Sequence, residues 1–294
     1  MQLIDTERAK EIYAAMGPAT ESSGGSAGNT AAGLANLGSR VAYIGKVKQD
    51  QLGEIFTHDM RALGAQFDTA PAPETHPLAT ARSFVLVTPD GERSMNTYLG
   101  VAPEVTTDDM DETLLSQTKW IYVEGYLWDT EAQKAAIRTG IERCKAAGGK
   151  AALSLSDPFC VERHRDSFLE LIRSGQVDLV FGNHHELCSL YQTEDVDQAM
   201  AFLRADVPMA AITLGPQGSM VITKTETVTS PAAPRTRVDA TGAGDLFAAG
   251  FLHGLCQSEP LATCAHYGNL VAGETISQMG ARPSCDLKAL IVSA

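Results

Sequence analysis

One carboxylate in a glycine-rich turn, Asp245, is the residue of this sequence best placed to do chemistry. It closes the run TGAGD at positions 241–245, and the sequence is then apolar for most of a helix. Small residues let the backbone bend sharply, and the first turn of a helix leaves its N–H groups unpaired and partly positive. Such a turn can hold a phosphate or a developing oxyanion. Asp245 could then take a proton from an attacking hydroxyl, or it could cap the helix.

A second polar pair, Asn183 and Glu186, lies where an apolar run enters a predicted helix. Oxygen ligands of this kind suit Mg²⁺, directly or through its waters. The same spacing also fits an Asn N-cap followed by a Glu three residues later, which is a capping-box pair. Between them, His184 and His185 point in different directions from a helix and have no third ligand at a useful spacing, so we expect no transition-metal site.

Two other glycine-bearing stretches could bring the backbone close to a ligand. Gly24 and Gly25 are followed at once by a predicted helix and strand, which favours a place inside a compact unit over a flexible linker. Nearby Asn29 offers both a donor and an acceptor. Gly215 and Gly218 follow a strand, where glycines can contact a nucleotide's ribose or phosphates or can form a plain hairpin turn.

The elements that must position these residues follow from the hydrophobic pattern. From about residue 108, strands alternate with helices, which indicates a mostly parallel sheet with helices on both faces. Ligands gather at the carboxyl ends of such strands, and Glu124, Asp157 and Asn183 each come just after an apolar run. The predicted strands are 41–44, 81–87, 92–99, 119–124, 150–155, 177–181, 209–214 and 219–222. The predicted helices are 6–16, 30–37, 52–63, 131–147, 163–174, 184–191, 195–204 and 264–279.

Residues 81–99 predict a hairpin, because Thr88-Pro89-Asp90-Gly91 is a strong turn signal between two β-rich runs. Prolines before and after it favour a separate small sheet, and such a flap could cover a site and exclude water. Exposed strand edges can pair with a second copy, so a homodimer through this flap is one allowed arrangement, although the sequence leaves the oligomeric state open.

Composition excludes several classes of protein. The 294 residues are 44% hydrophobic and 20% charged, as in a soluble globular protein. A net charge of −13 without a Lys/Arg-rich run argues against a nucleic-acid-binding face. No apolar run reaches the ~18 residues of a membrane span, and the N-terminus does not read as a signal peptide. Six cysteines without a CxxC pair indicate reduced thiols in a cytoplasmic protein.

The order of these motifs resembles that of the ribokinase-like (PfkB) carbohydrate kinase family. The matching patterns are GG-x(3)-N at 24–29, N-x-x-E at 183–186, T-x-G-x-x-G at 213–218 and the specific signature D-x-T-G-A-G-D at 239–245. Together they span nearly the whole chain. The run RSMNTYLG at 93–100 is most similar to the adenosine-kinase-like branch.

The resemblance implies an α/β, ribokinase-like fold: one kinase domain over 1–294, with a mostly parallel central sheet, helices on both faces and a small β lid. The lid strands would come from about 65–100 and part of the N-terminal region. The implied activity is ATP-dependent transfer of the γ-phosphoryl group to a primary hydroxyl of a sugar or nucleoside, with adenosine or a related nucleoside favoured. ATP and Mg²⁺ would be required, and K⁺ is a further candidate.

The resemblance also implies roles for individual residues. Asp245 would be the catalytic base, and the anion hole would come from Gly242, Ala243 and Gly244. The residues facing the acceptor would be Gly24, Gly25, Asn29, Glu124 and Asn96. The residues serving ATP and Mg²⁺ would be Asn183, Glu186 (through water), Thr213, Gly215, Gly218 and Asn269, the last near the adenine. Asp239 and Gly280 would hold the monovalent cation.

Two departures from the family pattern bear on the acceptor site. Family members usually begin with a strand carrying Gly-x-x-x-x-Asp, whereas Met1 to Asp5 lie beyond that strand, so either the chain lacks it or the sequence omits it. Lys48 stands where the family usually has Gly. A ribokinase- or fructokinase-type sugar kinase and a disabled nucleotide- or sugar-binding homologue are therefore alternatives. A dinucleotide dehydrogenase is disfavoured, because no strand precedes the glycines at 24–28.

Overall fold

A computed structural model describes residues 1–282 and 284–293. The strands are β1 (Gln2–Leu3), β2 (Arg82–Val87), β3 (Arg93–Tyr98), β4 (Trp120–Glu124), β5 (Lys150–Ser154), β6 (Leu179–Asn183), β7 (Met209–Thr213), β8 (Ser219–Thr223) and β9 (Thr227–Ser230). The helices are α1 (Thr6–Ala15), α2 (Ser26–Asn36), α3 (Gln51–Ala62), α4 (Glu112–Ser116), α5 (Glu131–Ala146), α6 (Pro158–Arg173), α7 (His184–Tyr191), α8 (Val196–Asp206), α9 (Ala243–Cys256), α10 (Leu261–Ile276) and α11 (Leu287–Val292). Within these residues, no helix combines the length and apolarity needed to cross a membrane.

Six strands form the central sheet in the order β4-β5-β6-β7-β8-β9. The first four are parallel, and β8 and β9 run antiparallel to their neighbours. Side chains alternate across the sheet: Leu153 packs with Trp128 and Phe168 on one face, whereas Ala152 belongs to the cluster on the other face. Helices cover both faces, which explains the unbroken apolar runs of the parallel strands. The predicted α/β architecture is confirmed.

The second sheet has three strands in the order β1-β3-β2. Its strands β2 and β3 form the predicted hairpin, paired antiparallel from Arg82↔Tyr98 to Val87↔Arg93. β1 lies parallel to β3, on its other side. One face of this lid sheet packs Phe84 and Tyr98 against Ala9 of α1, so the N-terminal helix covers the lid from one side.

The strand predicted over 41–44 is not formed. Only an isolated bridge joins Ala42 to Gln66, in the parallel sense. The apolar pattern there has a different cause, because Val41 and Tyr43 pack against the cluster of Met60 and Phe67. A strand needs a continuous partner for its backbone groups, and apolar side chains alone do not supply one.

Helix boundaries differ from the predicted ones where a cap was overlooked. α6 begins at Pro158 rather than at residue 163, because Asp157 caps it and accepts a hydrogen bond from the N–H of Cys160 at 2.6 Å. α2 begins at Ser26 rather than at residue 30, with Gly25 as its N-cap. β1, β9, α4 and α11 were not among the predicted elements. The earlier start of α2 matters most, because it places the first turn of that helix at the site.

Candidate active site

The turn before α9 requires glycine at position 242. Gly242 has φ +79°, and a Cβ there would lie 2.7 Å from the Cβ of Ala281 and 2.8 Å from its carbonyl oxygen. The N–H of Ala243 donates to the carbonyl of Ala240 at 3.3 Å. The N–H groups of Gly244 and Asp245 have no backbone acceptor in the described part of the chain. Gly244 is exposed, so the first turn of α9 presents unpaired donors to open space.

The carboxylate of Asp245 turns away from its own helix and toward α2. It accepts hydrogen bonds from Ser26 Oγ and from Asn29 Nδ2, both at 2.8 Å. Asp245 makes no capping bond to α9, whose N-cap is Gly242. The helix-cap interpretation of Asp245 is therefore wrong, and this half-buried carboxylate remains available for chemistry.

Burial raises the pKa of Asp245 from 3.8 to about 6. The bonds from Asn29 and Ser26 and the positive charge of Arg93 act in the opposite direction, because they stabilise the ionised form. A carboxylate with this pKa is mostly ionised at neutral pH and more basic than an ordinary aspartate. Both properties suit a general base.

Glu124, the last residue of β4, lies on the other side of the same α2 turn. Its Oε2 accepts the N–H of Ala27 at 2.5 Å. Burial raises the pKa of Glu124 to about 7, and the nearby charge of Asp245 adds to the effect. Two carboxylates from distant strands and helices thus meet at the N-terminal turn of α2, whose free N–H groups and partial positive charge favour both.

Arg282 lies behind this turn and was missed by the sequence reasoning. Its Nε approaches Asn29 Oδ1 at 3.5 Å, and its Nη2 approaches the carbonyl of Gly24 at 3.4 Å. The guanidinium stacks on the ring of Phe56 at 5.8 Å, and no carboxylate of the described residues lies within ion-pair distance. No motif marked Arg282, because it follows a helix end and meets residues about 250 positions earlier.

On the opposite side of the sheet end, Asn183 and Glu186 form a complete capping box. Asn183 Oδ1 accepts the N–H of Glu186 at 3.0 Å, and Glu186 Oε2 accepts the N–H of Asn183 at 2.9 Å. Burial raises the pKa of Glu186 to about 7, and the charge of Asp157 raises it further. Each Glu186 oxygen keeps a second lone pair, so the donor set fits Mg²⁺ held through water. The described residues contain no cluster of three metal-ligating side chains.

The predicted nucleotide loop follows β7. Thr213 ends the strand, and Gly215 opens a 3₁₀ turn with φ +59° and free space where a Cβ would lie. The N–H of Gly218 closes that turn by donating to the carbonyl of Gly215 at 3.0 Å. Asn269 is buried in α10, and its Nδ2 donates to Ser219 Oγ and to the carbonyl of Ser230, both at 3.0 Å. Asn269 therefore ties α10 to β8 and to the end of β9, and its contact with adenine stays a prediction.

Asp239 holds the signature turn in place. Its Oδ1 accepts the N–H and Oγ1 of Thr241 at 2.9 and 2.6 Å, and its Oδ2 accepts the N–H of Gly280 at 2.9 Å. Burial alone would raise the pKa of Asp239, but these hydrogen bonds outweigh it and keep the pKa below its usual range. The structure brings Asp239 and Gly280 together as expected, and their binding of a monovalent cation stays a prediction.

The lid contributes Arg93, whose importance the sequence reasoning also missed. The exposed Arg93 guanidinium is near enough to lower the pKa of both Asp239 and Asp245. Asn96 lies three residues further along β3 and faces Phe84 in register, on the side that packs toward α1. Because side chains alternate along a strand, Asn96 and Arg93 lie on opposite faces of the lid. Asn96 is thus not brought together with Asp245, and its acceptor contact stays a prediction.

Comparison with known proteins agrees with this geometry. Residues 2–288 match the family described as pfkB family carbohydrate kinase. The structure described as adenosine kinase from Sinorhizobium meliloti is 51% identical, covers 99% of this chain and 89% of its own, and has a TM-score of 0.97. A probable sugar kinase protein from Rhizobium etli is 47% identical, with a TM-score of 0.97 and coverage of 100% and 88%.

Among curated proteins, the ATP-dependent ribose-1-phosphate kinase of Halopiger xanaduensis is 29% identical over 275 residues, which are 93% of this chain and 87% of that protein. The family match covers nearly the whole chain and includes every motif described above. Kinases of this family use ATP and a divalent metal. The chain belongs to the pfkB family of carbohydrate kinases and is a phosphotransferase that acts on a hydroxyl group of a sugar or nucleoside.

Proposed function

We propose that this kinase transfers the γ-phosphoryl group of ATP to a primary hydroxyl of a nucleoside, with adenosine as the favoured acceptor. The observation that carries the proposal is the Asp245 carboxylate, held by Ser26 and Asn29 beside the unpaired N–H groups of α9. The choice of a nucleoside rests on the 51% identity to a chain described as an adenosine kinase and on the lid run at 93–100.

In this mechanism Asp245 takes the proton of the acceptor hydroxyl while the hydroxyl oxygen bonds to the γ-phosphorus. The bond from that phosphorus to the β–γ bridging oxygen breaks, and ADP leaves. The N–H groups of Gly244 and Asp245 and the guanidinium of Arg93 stabilise charge on the phosphoryl oxygens. When bound, Mg²⁺ would neutralise phosphate charge, and Glu186 would hold it through water.

The remaining predicted residues have supporting roles in the proposal. Gly24, Gly25, Asn29 and Glu124 face the acceptor, and Asn183, Thr213 and Gly215 line the ATP phosphates and ribose. Asp239 and Gly280 hold a monovalent cation under the signature turn. A single kinase domain over residues 1–294 carries the site, and its lid excludes water during transfer.

A second candidate acceptor is a sugar phosphate. Arg282 presents a half-buried guanidinium, with no carboxylate of the described residues in ion-pair range, next to Asn29 and Gly24. A guanidinium in such a place favours phosphate or carboxylate groups. One relative of 29% identity is described as a ribose-1-phosphate kinase.

The proposal is tested by measuring ADP release with ATP and Mg²⁺ for five acceptors: adenosine, inosine, ribose, fructose and ribose 1-phosphate. The Asp245→Asn variant measures the ADP release that does not depend on the proposed base. The nucleoside proposal expects the highest kcat/KM for adenosine. If ribose 1-phosphate gives the highest value, the second candidate replaces the first, and Arg282→Gln should then lower kcat/KM for ribose 1-phosphate by a larger factor than kcat/KM for adenosine. Equal release by wild type and Asp245→Asn with every acceptor would contradict both.

A further inference from the structure

The tip of the lid hairpin is bonded directly to the segment that leads into the signature turn. Arg237 Nη1 lies 2.8 Å from Glu92 Oε1, and Arg237 Nη2 donates to the carbonyl of Asp90 at 2.6 Å. The N–H of Ala240 also donates to the carbonyl of Gly91 at 3.3 Å. The three contacts join two parts of the chain about 150 residues apart.

Gly91 lets the two surfaces come this close. It has φ +78°, and a Cβ there would lie 3.0 Å from Arg237 Cγ and 3.2 Å from the carbonyl oxygen of Val238. The turn itself is closed by the bond from the Gly91 N–H to the Thr88 carbonyl at 2.8 Å. A preformed turn thus fits against Arg237, so that few degrees of freedom remain to be ordered when the contact forms.

The receiving segment is fixed to the body of the protein. The N–H of Val238 donates to the carbonyl of Ile276 at the end of α10, at 2.7 Å. One residue later, Asp239 holds Thr241 and Gly280. The lid tip is therefore bonded to the same short segment that sets the geometry of the anion-binding turn.

Arg93 directly follows Glu92, so the position of the hairpin tip decides where the lid guanidinium lies. In the docked arrangement Glu92 is paired with Arg237, two positions before Asp239, which places Arg93 beside the segment that leads into the signature turn. The Arg237–Glu92 pair is exposed on both sides and contributes little to global stability. Its effect is local, on the position of the lid.

From these contacts we propose that Arg237 is a positioning residue, which holds the lid hairpin closed through Glu92 and the Asp90 carbonyl and so keeps Arg93 beside the segment that leads into the signature turn. The inference that closure serves turnover rests on the proposed kinase mechanism. The docking itself is independent of it, because it is a contact between two parts of this chain.

The test is a charge-swap series on the full chain: Arg237→Glu, Glu92→Arg and the double variant. Hydrogen exchange of residues 82–98 without ligand reports the docking. Arg237→Glu should speed exchange of the hairpin by roughly fivefold to tenfold, the population change that corresponds to an exposed ion pair and its hydrogen bonds. The double variant should recover part of the protection, because it restores an ion pair at the same place but not the hydrogen bond to the Asp90 carbonyl.

The matched control is Arg235→Glu, two residues before Arg237, which breaks a partly exposed ion pair with Glu274. It should leave the exchange of 82–98 unchanged. Exchange of the central strands 150–154 and 179–183 should be the same in all variants, which separates local opening from unfolding. Unchanged hairpin exchange in Arg237→Glu, or a double variant no better protected than that single variant, would overturn the docking role.

Turnover then tests the consequence of docking. Arg237→Glu should lower kcat about threefold to tenfold at saturating ATP, with recovery in the double variant, because the lid guanidinium acts on the transferring group. Faster hairpin exchange with wild-type kcat would overturn the positioning of Arg93. If the wild type released no ADP with any acceptor, the proposed function would fail, and the exchange series would still decide whether Arg237 holds the lid.

Discussion

The proposed acceptor side and the proposed nucleotide side of this site are built in opposite ways. Asp245 is held by Ser26 and Asn29, which lie 219 and 216 positions away, and Glu124 binds the N–H of Ala27 over a separation of 97. Asn183 and Glu186 bind each other over a separation of three. The acceptor side exists only when the whole chain is folded, whereas the core of the nucleotide side is a property of one helix start.

This difference predicts where a substitution acts. On the acceptor side, the chemistry depends on groups that several elements must bring together, so a change there should affect turnover first. On the nucleotide side, the polar pair has a structural role as well, so a change should affect stability and ATP binding together. Substitutions on each side test this difference.

The largest effect is expected for Asp245→Asn. The amide has nearly the same shape as the carboxylate but cannot accept the hydroxyl proton, so turnover should fall by ~10² or more. ADP release at saturating substrates measures this, and the ATP dependence of thermal unfolding should stay that of the wild type. Turnover within tenfold of the wild type would remove Asp245 from the role of base.

Gly242→Ala should be next, because it strains the turn between the two sides. An L-residue at φ +79° and a Cβ 2.7 Å from Ala281 should together cost about 1–3 kcal/mol of unfolding free energy. Urea unfolding measures the loss. Gly244→Ala is the matched control, since that position has open space and an ordinary φ, and equal destabilisation of the two variants would contradict the explanation.

Asn183→Ala tests the proposed nucleotide side, whose polar pair is local in sequence. Loss of the capping box should cost about 1 kcal/mol of unfolding free energy, the usual value for an N-cap, and should raise KM for ATP more than KM for the acceptor. Asp195→Ala removes the cap of the neighbouring helix α8 away from the site and should reduce stability by a similar amount with KM for ATP unchanged. Equal KM effects in both variants would argue against a nucleotide role.

The smallest effect is a pH dependence that belongs to the acceptor side. Burial raises the pKa of Asp245 from 3.8 to about 6 and that of Glu124 from 4.5 to about 7. Both groups bind protons more tightly when folded, so their contribution to the free energy of unfolding falls as pH rises from 5 to 7. Asp239, with a lowered pKa, loses its contribution only below its ordinary value of 3.8, outside this range.

Urea unfolding at pH 5 and 7 measures the slope, which Glu124→Gln should make less negative. Glu131→Gln, an exposed position with a lowered pKa, should leave it unchanged. The ionisation of Asp245 should also appear in turnover. Because kcat/KM requires the unprotonated base, it should decline below about pH 6. An unchanged stability slope in Glu124→Gln would mean that its carboxyl is already solvated.

A structural feature could be predicted from the sequence when the residues that cause it lie close together in the chain. The hairpin at 81–99 was predicted because its turn residues act on their own backbone, and the alternating strands and helices from residue 108 because each element carries its own periodicity. The predicted strand at 41–44 is wrong, since its apolar side chains pack on the cluster of Met60 and Phe67 while its backbone makes only an isolated bridge to Gln66. Arg282 and Arg237 were missed because their partners lie far away in the chain.

By itself, the sequence determined the fold class and the family, because the periodicity of each element and the spacing of the motif residues are local. It also predicted an anion-binding role for the signature turn, because glycines limit what the backbone can do there. Only the tertiary structure decided that Asp245 binds α2 rather than capping α9, that Arg93 and Asn96 lie on opposite faces of the lid, and that the lid tip docks on Arg237. Each of these depends on which distant surfaces meet, and that is set by packing of the whole core rather than by any local pattern.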